Sequence, residues 1–515
     1  MNAEPGGGRI LIASNRGPVS FTLGEDGNLT RHRGAGGLVS GLSAVAGQAD
    51  VLWVCAALSD ADRTAARVAD GLIDTGESDA DRAASVRMLD IPATTFHRAY
   101  NSVANSTLWF VQHMLYDTPN RPNFGLAFRR EWESFRGYNA TFAAALAQGA
   151  GEPGRGVRAM VQDYHLTLVP RMLADLRPDI KIAHFSHTPW APPDYFKLLP
   201  DSVRCEVLEG VLGAHQAGFL SQRWADAFTD CCREFLGAEV DPVARTVTHR
   251  GHVTRVGVHA LGVDAEDLRG RAAAADVQAQ HAALAAACGQ CKVIVRVDRT
   301  ELSKNIVRGL LAYRELLITR PQWRGQVTHV AFAYPSRHDL PEYREYTASV
   351  QRVASEIEDE FGTDDWNPLL LAVNDDYPRS LAAYQLADVL LVNPVRDGMN
   401  LVAKEGPILS QRGCALVLST EAGAAAELGA HALLVNPFDV SETANALHEA
   451  LTMPDTERIA RCHALAAAGS ALPPTEWFQA QLDGLDPTPS PARRDAAPLR
   501  RGPLRLVSIR RRTGR

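Results

Sequence analysis

Short apolar runs that empty into polar clusters recur along the whole chain. Ile10-Leu-Ile-Ala13 leads into Ser14-Asn15-Arg16, and residues 51–57 and 87–91 continue the series. Met160-Val161 runs into Gln162-Asp163-Tyr164-His165-Leu166, Ile180 to Phe185 ends in Ser186-His187-Thr188-Pro189-Trp190, and Ala217 to Leu220 follows. Apolar runs without polar alternation predict strands buried on both faces of a sheet. Helical spacing fills the intervals from Phe128 to Gln148 and from Arg223 to Leu236, while Tyr100 and Trp109 fall in a long polar and aromatic segment. A polar β segment, Thr246 to Val256, precedes an alanine-rich helical stretch from Asp264 to Ala287, which marks a domain junction. A second series then begins, with strands predicted at Lys292–Val297, Gln326–Tyr334, Leu369–Val373, Asp388–Val392, Ala415–Leu418 and Leu433–Val435. Strands alternating with helices in both halves predict an α/β protein with parallel sheets covered on both faces. A last helix, Glu476 to Leu485 behind Pro473-Pro474, is placed to return to the first half.

Composition narrows this picture. A chain of 515 residues has room for two or more domains. A net charge of −7 argues against general nucleic-acid binding. No apolar run approaches the roughly 18 residues of a membrane span, and the first residues lack the basic and apolar regions of a signal peptide, so cytoplasm is expected. Eight scattered cysteines suit reduced thiols. Cys288-Gly-Gln-Cys291 has redox or metal spacing but no second pair to complete a zinc site, and reads more simply as two unrelated thiols between a helix and a strand. Beyond Pro487 the chain turns rich in Pro, Ala and Arg and reads as a basic, solvated tail.

Candidate chemistry sits where strands end. Asp388-Val-Leu-Leu-Val392 leads through Asn393-Pro-Val-Arg to Asp397-Gly-Met-Asn-Leu-Val-Ala-Lys-Glu405. A helix opening there offers free N–H groups to an anion. Asp397 and Glu405 are eight residues apart, about two turns, so one helix would present both to the same ligand. A capped helix without a ligand explains the same spacing. Strand Lys292–Val297 empties into a segment carrying Arg299 and Lys304, suited to a diphosphate, and Tyr334-Pro-Ser-Arg337 adds a third cation. Arg33-Gly34-Ala35-Gly36-Gly37, before an apolar segment from Leu38 to Ala46, is a weaker phosphate signal. There is no Gly-x-x-x-x-Gly-Lys-Ser/Thr loop and no His-Glu-x-x-His helix. Polar clusters at strand ends in two α/β domains imply a cleft for an anionic nucleotide conjugate. The reaction does not follow from that.

An ordered set of motifs supplies it by resemblance. Ser14-Asn-Arg16, Gly36-Gly-Leu38, Tyr100 through Trp109, Asp163-Tyr-His-Leu166, His187, Arg299 with Lys304, Pro335-Ser-Arg337 and Asp397 to Glu405 together resemble the trehalose-6-phosphate synthases, retaining glycosyltransferases of family 20. The resemblance runs from about Ile10 to Leu485 and is nearest the actinobacterial branch. It implies the GT-B fold, two Rossmann-like domains facing across a cleft: an acceptor domain over 1–262, a nucleotide-sugar domain over 263–472 and a returning helix over 473–486, beyond which composition predicts a disordered basic tail over 487–515.

The implied reaction is transfer of glucose from a nucleotide-glucose to glucose 6-phosphate with retention, giving α,α-trehalose 6-phosphate. The resemblance assigns Arg16, Tyr100, Trp109, Asp163 and Arg337 to the acceptor. It assigns Gly36, Gly37, Arg299, Lys304, Asp397, Gly398, Met399, Asn400, Leu401, Val402, Ala403, Lys404 and Glu405 to the donor, with Asp397 on sugar hydroxyls and Glu405 on the ribose. Catalysis falls to His187, Asp163, Arg299 and Lys304. No cofactor, metal, nucleic acid or membrane partner is implied; homo-oligomerisation and the donor base stay open, with UDP- and GDP-glucose ahead of ADP-glucose.

Three departures stand out. Gln162 replaces a histidine frequent before Asp-Tyr-His, Asn305 replaces a frequent glycine after Lys304, and Ala56-Ala57 replace an aromatic-containing turn. The rival expectation is a pseudo-glycosyltransferase of the same fold that couples a nucleotide-cyclitol to an amino-cyclitol phosphate. A non-catalytic sugar-phosphate sensor is disfavoured because Arg16, Arg299, Lys304 and Asp397 are all present.

Overall fold

The computed structural model describes residues 8–24, 27–33, 50–73, 85–154, 156–337 and 340–486. Gly36, Gly37, the apolar segment that follows them and the arginine-rich tail lie outside the described residues. The apolar runs form strands as their composition demands. β1 (Ile10–Ala13), β4 (Val51–Ala56) and β7 (Arg158–Gln162) are almost wholly buried, and so is β8 (Lys181–Ser186) after its first residue. They pair in parallel and are joined by β6 (Ser85–Leu89) at one side and β9 (Gln216–Phe219) and β12 (His252–Val258) at the other. Short antiparallel strands finish the two edges: β5 (Leu72–Ile73) on β6, and β11 (Thr246–His249) and β10 (Glu239–Asp241) beyond β12. A separate hairpin pairs β2 (Val19–Leu23) with β3 (Leu29–Arg33).

The second sheet is all parallel, in the order β15 (Leu369–Ala372), β14 (Val327–Tyr334), β13 (Lys292–Arg299), β16 (Val389–Val392), β17 (Ala415–Ser419), β18 (Leu433–Val435). Among the parallel strands of each sheet the order reverses at one place. β1 lies between β4 and β7, and β13 between β14 and β16. Side chains from the connections on either side of such a switch point diverge and leave a crevice, which is where ligands bind in open α/β sheets. The two crevices are therefore set by topology before any side chain is considered.

The chain as far as Leu485 is one compact unit. A single apolar cluster runs from β1 through Trp190 and Trp224 to Met399, Ala403 and Ala422. Polar contacts tie the same seam. The Trp224 indole N–H donates to Gly398 O at 2.9 Å, and Arg396 donates to Trp190 O at 3.1 Å. The helix Pro474–Leu485 lies against β8 and β9, with Trp477 edge-on to Phe185 and its indole N–H on His259 O at 3.1 Å.

One unassigned segment takes form, and one local expectation needs correction. The segment from Tyr100 to Trp109 is helical, continuous from Ala93 to Gln112 with a wide π-helical middle at His97–Leu108. A π-helical stretch of this kind is a frequent companion of functional sites because it re-aims side chains. And Asp397 does not share a helix with Glu405: the helix is Val402–Leu409, Asn400 has φ +84°, and Asp397 is held in extended pairing with Ala422.

Candidate functional site

Each first-half side chain is placed by the turn that ends its strand. After β1, Ser14 Oγ accepts from the Trp53 indole at 2.7 Å and donates to Arg16 O at 2.5 Å, while Asn15 accepts from Tyr138 Oη at 2.6 Å. Both polar side chains are spent on the turn, and Arg16 is left exposed at its tip. After β7, Asp163 adopts φ +73° and ψ 174°. A side chain there costs of order 1–3 kcal/mol and persists only where the surroundings enforce it. Its carboxylate accepts the His187 backbone N–H at 3.1 Å, joining the turns after β7 and β8. Burial raises its pKa to about 6, against the pull of the Tyr164, His187 and Thr188 amides and of Arg337.

Aromatic rings surround these turns. Tyr100 stacks on His165 at 5.5 Å, and Trp109 stacks on His113 at 3.8 Å. The Arg337 guanidinium lies 4.1 Å above the Trp109 ring and donates to Tyr343 Oη at 2.6 Å and Tyr164 Oη at 3.1 Å. Burial keeps the histidines neutral: His187 is lowered to about 4, His113 to about 3, and His165 well below its ordinary value, helped there by Arg337 and Arg16.

The second-half side is built from ion pairs. Lys304 Nζ is 2.6 Å from Asp397 Oδ2, and Arg299 pairs with Glu301 at 2.8 Å. Behind them Arg296 and Asp298, both buried, pair at 2.8 Å. Burial alone would raise Glu301, but Arg299, Arg337 and Lys304 outweigh it and bring it down to about 2. Burial likewise works against charge at Asp397 and Lys304, and their attraction overrides it: Asp397 is lowered and Lys304 raised. The expected free cations are thus already engaged with carboxylates, Glu301 among them, which stands two residues from Arg299.

The two sides meet in a cavity of ≈ 170 Å³ lined by Trp109, His113, Asp163, His187, Thr188, Arg299, Ser303, Lys304, Asp397 and Gly398. Gly398 is required by that closeness, since a Cβ would sit 2.0 Å from His187 O. The Trp109 indole N–H and the Thr188 hydroxyl, both on its wall, have no hydrogen-bond partner among the described residues. A larger cavity of ≈ 980 Å³ opens on the other side of His113 and Arg396, among Arg223, Asp226, Leu302 and Phe438. Its Arg223 and Arg396 are both bonded to Glu421, and it holds no counterpart to the Asp163, His187 and Lys304 cluster. The smaller cavity is therefore the one with convergent chemistry.

Of the residues picked from the sequence, Trp109, Asp163, His187, Arg299, Lys304, Asp397 and Gly398 line this cavity together. Arg337 does not line it but packs over the ring of Trp109, which does. Tyr100 and Arg16 are also absent from the lining; Tyr100 stacks on His165, whose pKa Arg16 helps to lower. Glu405 lies apart from it beside Tyr384, where burial lifts it to about 7 against that hydrogen bond. Lys404 is a correction: its ammonium is buried and donates to Leu261 O at 2.8 Å and Glu427 at 2.6 Å, so it fastens the helix rather than reaching a ligand. Met399 and Ala403 are buried as well. His113, Thr188, Ser303 and Tyr343 were not foreseen, and no spacing in the sequence distinguishes them.

The Asn305 departure has a simple cause. Asn305 has φ +59°, a left-handed conformation that glycine or asparagine tolerates. Its amide also donates to Asn393 O at 2.9 Å and Pro437 O at 2.7 Å, which glycine could not do. Among the described residues no cluster of three or more His, Cys, Asp or Glu could hold a metal ion, and no helix is long and apolar enough to cross a membrane.

Comparison with known proteins agrees with this geometry. The family model for glycosyltransferase family 20 matches residues 8–486. The chain is 33% identical over 87% of its length to an α,α-trehalose-phosphate synthase (UDP-forming) from Schizosaccharomyces pombe, covering 85% of that protein. It is 30% identical over 93% of its length to a validamine 7-phosphate valienyltransferase from Streptomyces hygroscopicus, covering 94% of it. It spans 60% and 57% of the length of two other curated relatives. A solved structure described as trehalose-6-phosphate from E. coli bound with UDP-2-fluoro glucose superposes with a TM-score of 0.80 at 26% identity, covering 93% of this chain and 99% of that one. The fold is thus GT-B, two Rossmann-like domains, and the chain belongs to glycosyltransferase family 20.

Proposed function

We propose that the chain is a retaining hexosyltransferase that moves glucose from a nucleotide-glucose to glucose 6-phosphate, forming α,α-trehalose 6-phosphate. The observation that carries this reading is the pairing of unlike walls around one cavity. Lys304, Arg299 and Asp397 stand on one side, and Trp109, Asp163 and His187 on the other, with Arg337 above. The first set suits a departing diphosphate and the hydroxyls of its sugar; the second suits an incoming sugar phosphate.

In the reaction, the bond from the anomeric carbon to the donor phosphate oxygen breaks. A bond to the acceptor's anomeric oxygen forms on the same face, and the acceptor proton passes to the departing phosphate. Arg299 and Lys304 meet charge that grows on the leaving oxygen, so they bind the transition state more tightly than the ground state. With the leaving phosphate as base, no carboxylate nucleophile is needed, in contrast with retaining glycosidases. Arg16 and Arg337 hold the acceptor phosphate, Glu405 the ribose, and residues 1–262 and 263–472 divide acceptor from donor recognition, with 473–486 returning to the first.

The valienyltransferase similarity supports a second reading, coupling of a nucleotide-cyclitol to an amino-cyclitol phosphate. One panel separates them: UDP-, GDP- and ADP-glucose with glucose 6-phosphate, beside the cyclitol pair. Nucleoside diphosphate release together with trehalose 6-phosphate is expected from one glucose donor or more. Silence with every glucose donor overturns the synthase reading, and turnover of the cyclitol pair alone installs the second.

A further inference from the structure

His187 sits on the cavity wall with its ring orientation and its hydrogens set from behind. Phe185 and Trp477 pack against the ring at 5.0 and 5.5 Å, and its backbone N–H is held by Asp163. Its Nε2 lies 2.9 Å from Oε1 of Gln162, the last residue of β7, which is 1% exposed. A carboxamide oxygen accepts and cannot donate. A neutral imidazole has one N–H and one lone pair, so a hydrogen on Nε2 leaves Nδ1 bare. Burial keeps the ring neutral. Nδ1 has no protein partner among the described residues, and the ring borders the cavity shared with Asp397 and Lys304.

We propose that Gln162 is a positioning residue that locks His187 in its Nε2–H tautomer, so that Nδ1 faces the cavity as a hydrogen-bond acceptor for a hydroxyl of the bound sugars. The proposal deepens the sugar-transfer reading and rests on it for the identity of the hydroxyl donor. Gln162 is the residue that departs from the histidine frequent at this place. A histidine can present either a lone pair or an N–H to its neighbour and can gain a proton. A carboxamide has no proton to gain, and with Oε1 turned to Nε2, as it is here, it takes the accepting side of the contact. The Gln162 amide nitrogen finds no partner among the described residues, although it is buried. An unpaired buried donor is disfavoured on its own account. The competing arrangement turns the amide over, so that its N–H donates to Nε2 and the proton of His187 sits on Nδ1; the nitrogen spectra below separate the two.

Two measurements on the full chain test the lock. In the first, protein with ring-15N histidine is examined by long-range proton–nitrogen correlation, and the His187 signals are identified by their loss in His187→Asn. The expected pattern is a protonated Nε2 and a bare Nδ1, giving way to a mixture of tautomers in Gln162→Met. A proton on Nδ1 in the unmutated chain overturns the proposal.

In the second, Gln162→Met lowers kcat roughly ten-fold, about one hydrogen bond's worth, with both KM values within about two-fold. Gln162→His, whose ring nitrogen can accept the same N–H, recovers most of it. Gln162→Met adds no loss in a His187→Asn background, as expected for residues acting as a unit. Independent, multiplying losses, or a fully active Gln162→Met, overturn the proposal. Should the unmutated chain turn over no glucose donor, the synthase reading falls, while the nitrogen spectra still decide the tautomer.

Discussion

The two walls of the cavity solve opposite problems. The first-half wall carries little charge and leaves polar groups unused: the Trp109 indole N–H and the Thr188 hydroxyl, with Asp163 raised to about 6 by burial. The second-half wall carries dense charge and leaves almost none unpaired, with Lys304 on Asp397, Arg299 on Glu301 and Arg296 on Asp298. Buried ions need partners in the absence of ligand, because an isolated charge would neutralise or unfold the region. Neutral donors and acceptors can wait at much smaller cost. The contrast says how each ligand is admitted. On the proposed reading, a sugar phosphate would fill vacant hydrogen-bond positions on the first wall. A diphosphate and its sugar would exchange partners on the second, with Lys304 turning from Asp397 to phosphate as Asp397 turns to hydroxyls.

The strongest way to break the comparison is at the exchanged pair. Lys304→Ala is expected to lower kcat roughly 10²- to 10³-fold, and to depress Tm because Asp397 is left buried without its counter-ion. Adding Asp397→Asn restores most of the Tm and none of the kcat. Recovery of turnover in the double variant would show that Lys304 acts on Asp397 alone. On the other wall, Arg337→Lys keeps the charge and loses both the fork on Tyr343 and Tyr164 and the stack on Trp109. It should raise KM for glucose 6-phosphate by roughly 30-fold, about 2 kcal/mol, and leave the donor KM unchanged; an equal rise in both would place Arg337 in donor binding.

The smallest effect is a pH dependence at Glu405. Its pKa is raised to about 7, so the group is a neutral acid below that pH and a carboxylate above it. A carboxylate can accept from two ribose hydroxyls at once. The donor KM should therefore fall roughly three- to ten-fold as pH rises through about 7, and Glu405→Gln should flatten the curve. A donor KM that rises over the same interval would assign the protonated form to binding.

The strands were readable because burial on both faces favours runs of apolar residues; β1 and β16 end where their apolar runs end, β7 and β8 add one polar residue, and β13 runs two residues further, to Arg299. The polar turns behind them were readable too, since Ser14-Asn-Arg16, Asp163 and Arg299 fall at strand ends where a sheet presents ligands. What escaped was every relation between distant segments. Asp397 and Glu405 suggested one helix by their spacing, and Asn400 in a left-handed conformation with the Ala422 pairing separated them. Lys404 lay inside the motif, and a helix turn aims it at Leu261 and Glu427. His113 carries no signal in its neighbours; it reaches the cavity through its stack on Trp109.

By itself the sequence determined the secondary elements, the α/β class, the family and the chemical types gathered at strand ends, because these depend on local pattern and on motifs in order. The tertiary structure decided which of those groups face one another, which ions are already paired and which nitrogen of His187 is free. Those properties arise from the switch points at β1 and β13 being packed face to face, and close packing across that seam, down to a glycine at residue 398, is a condition no single segment encodes.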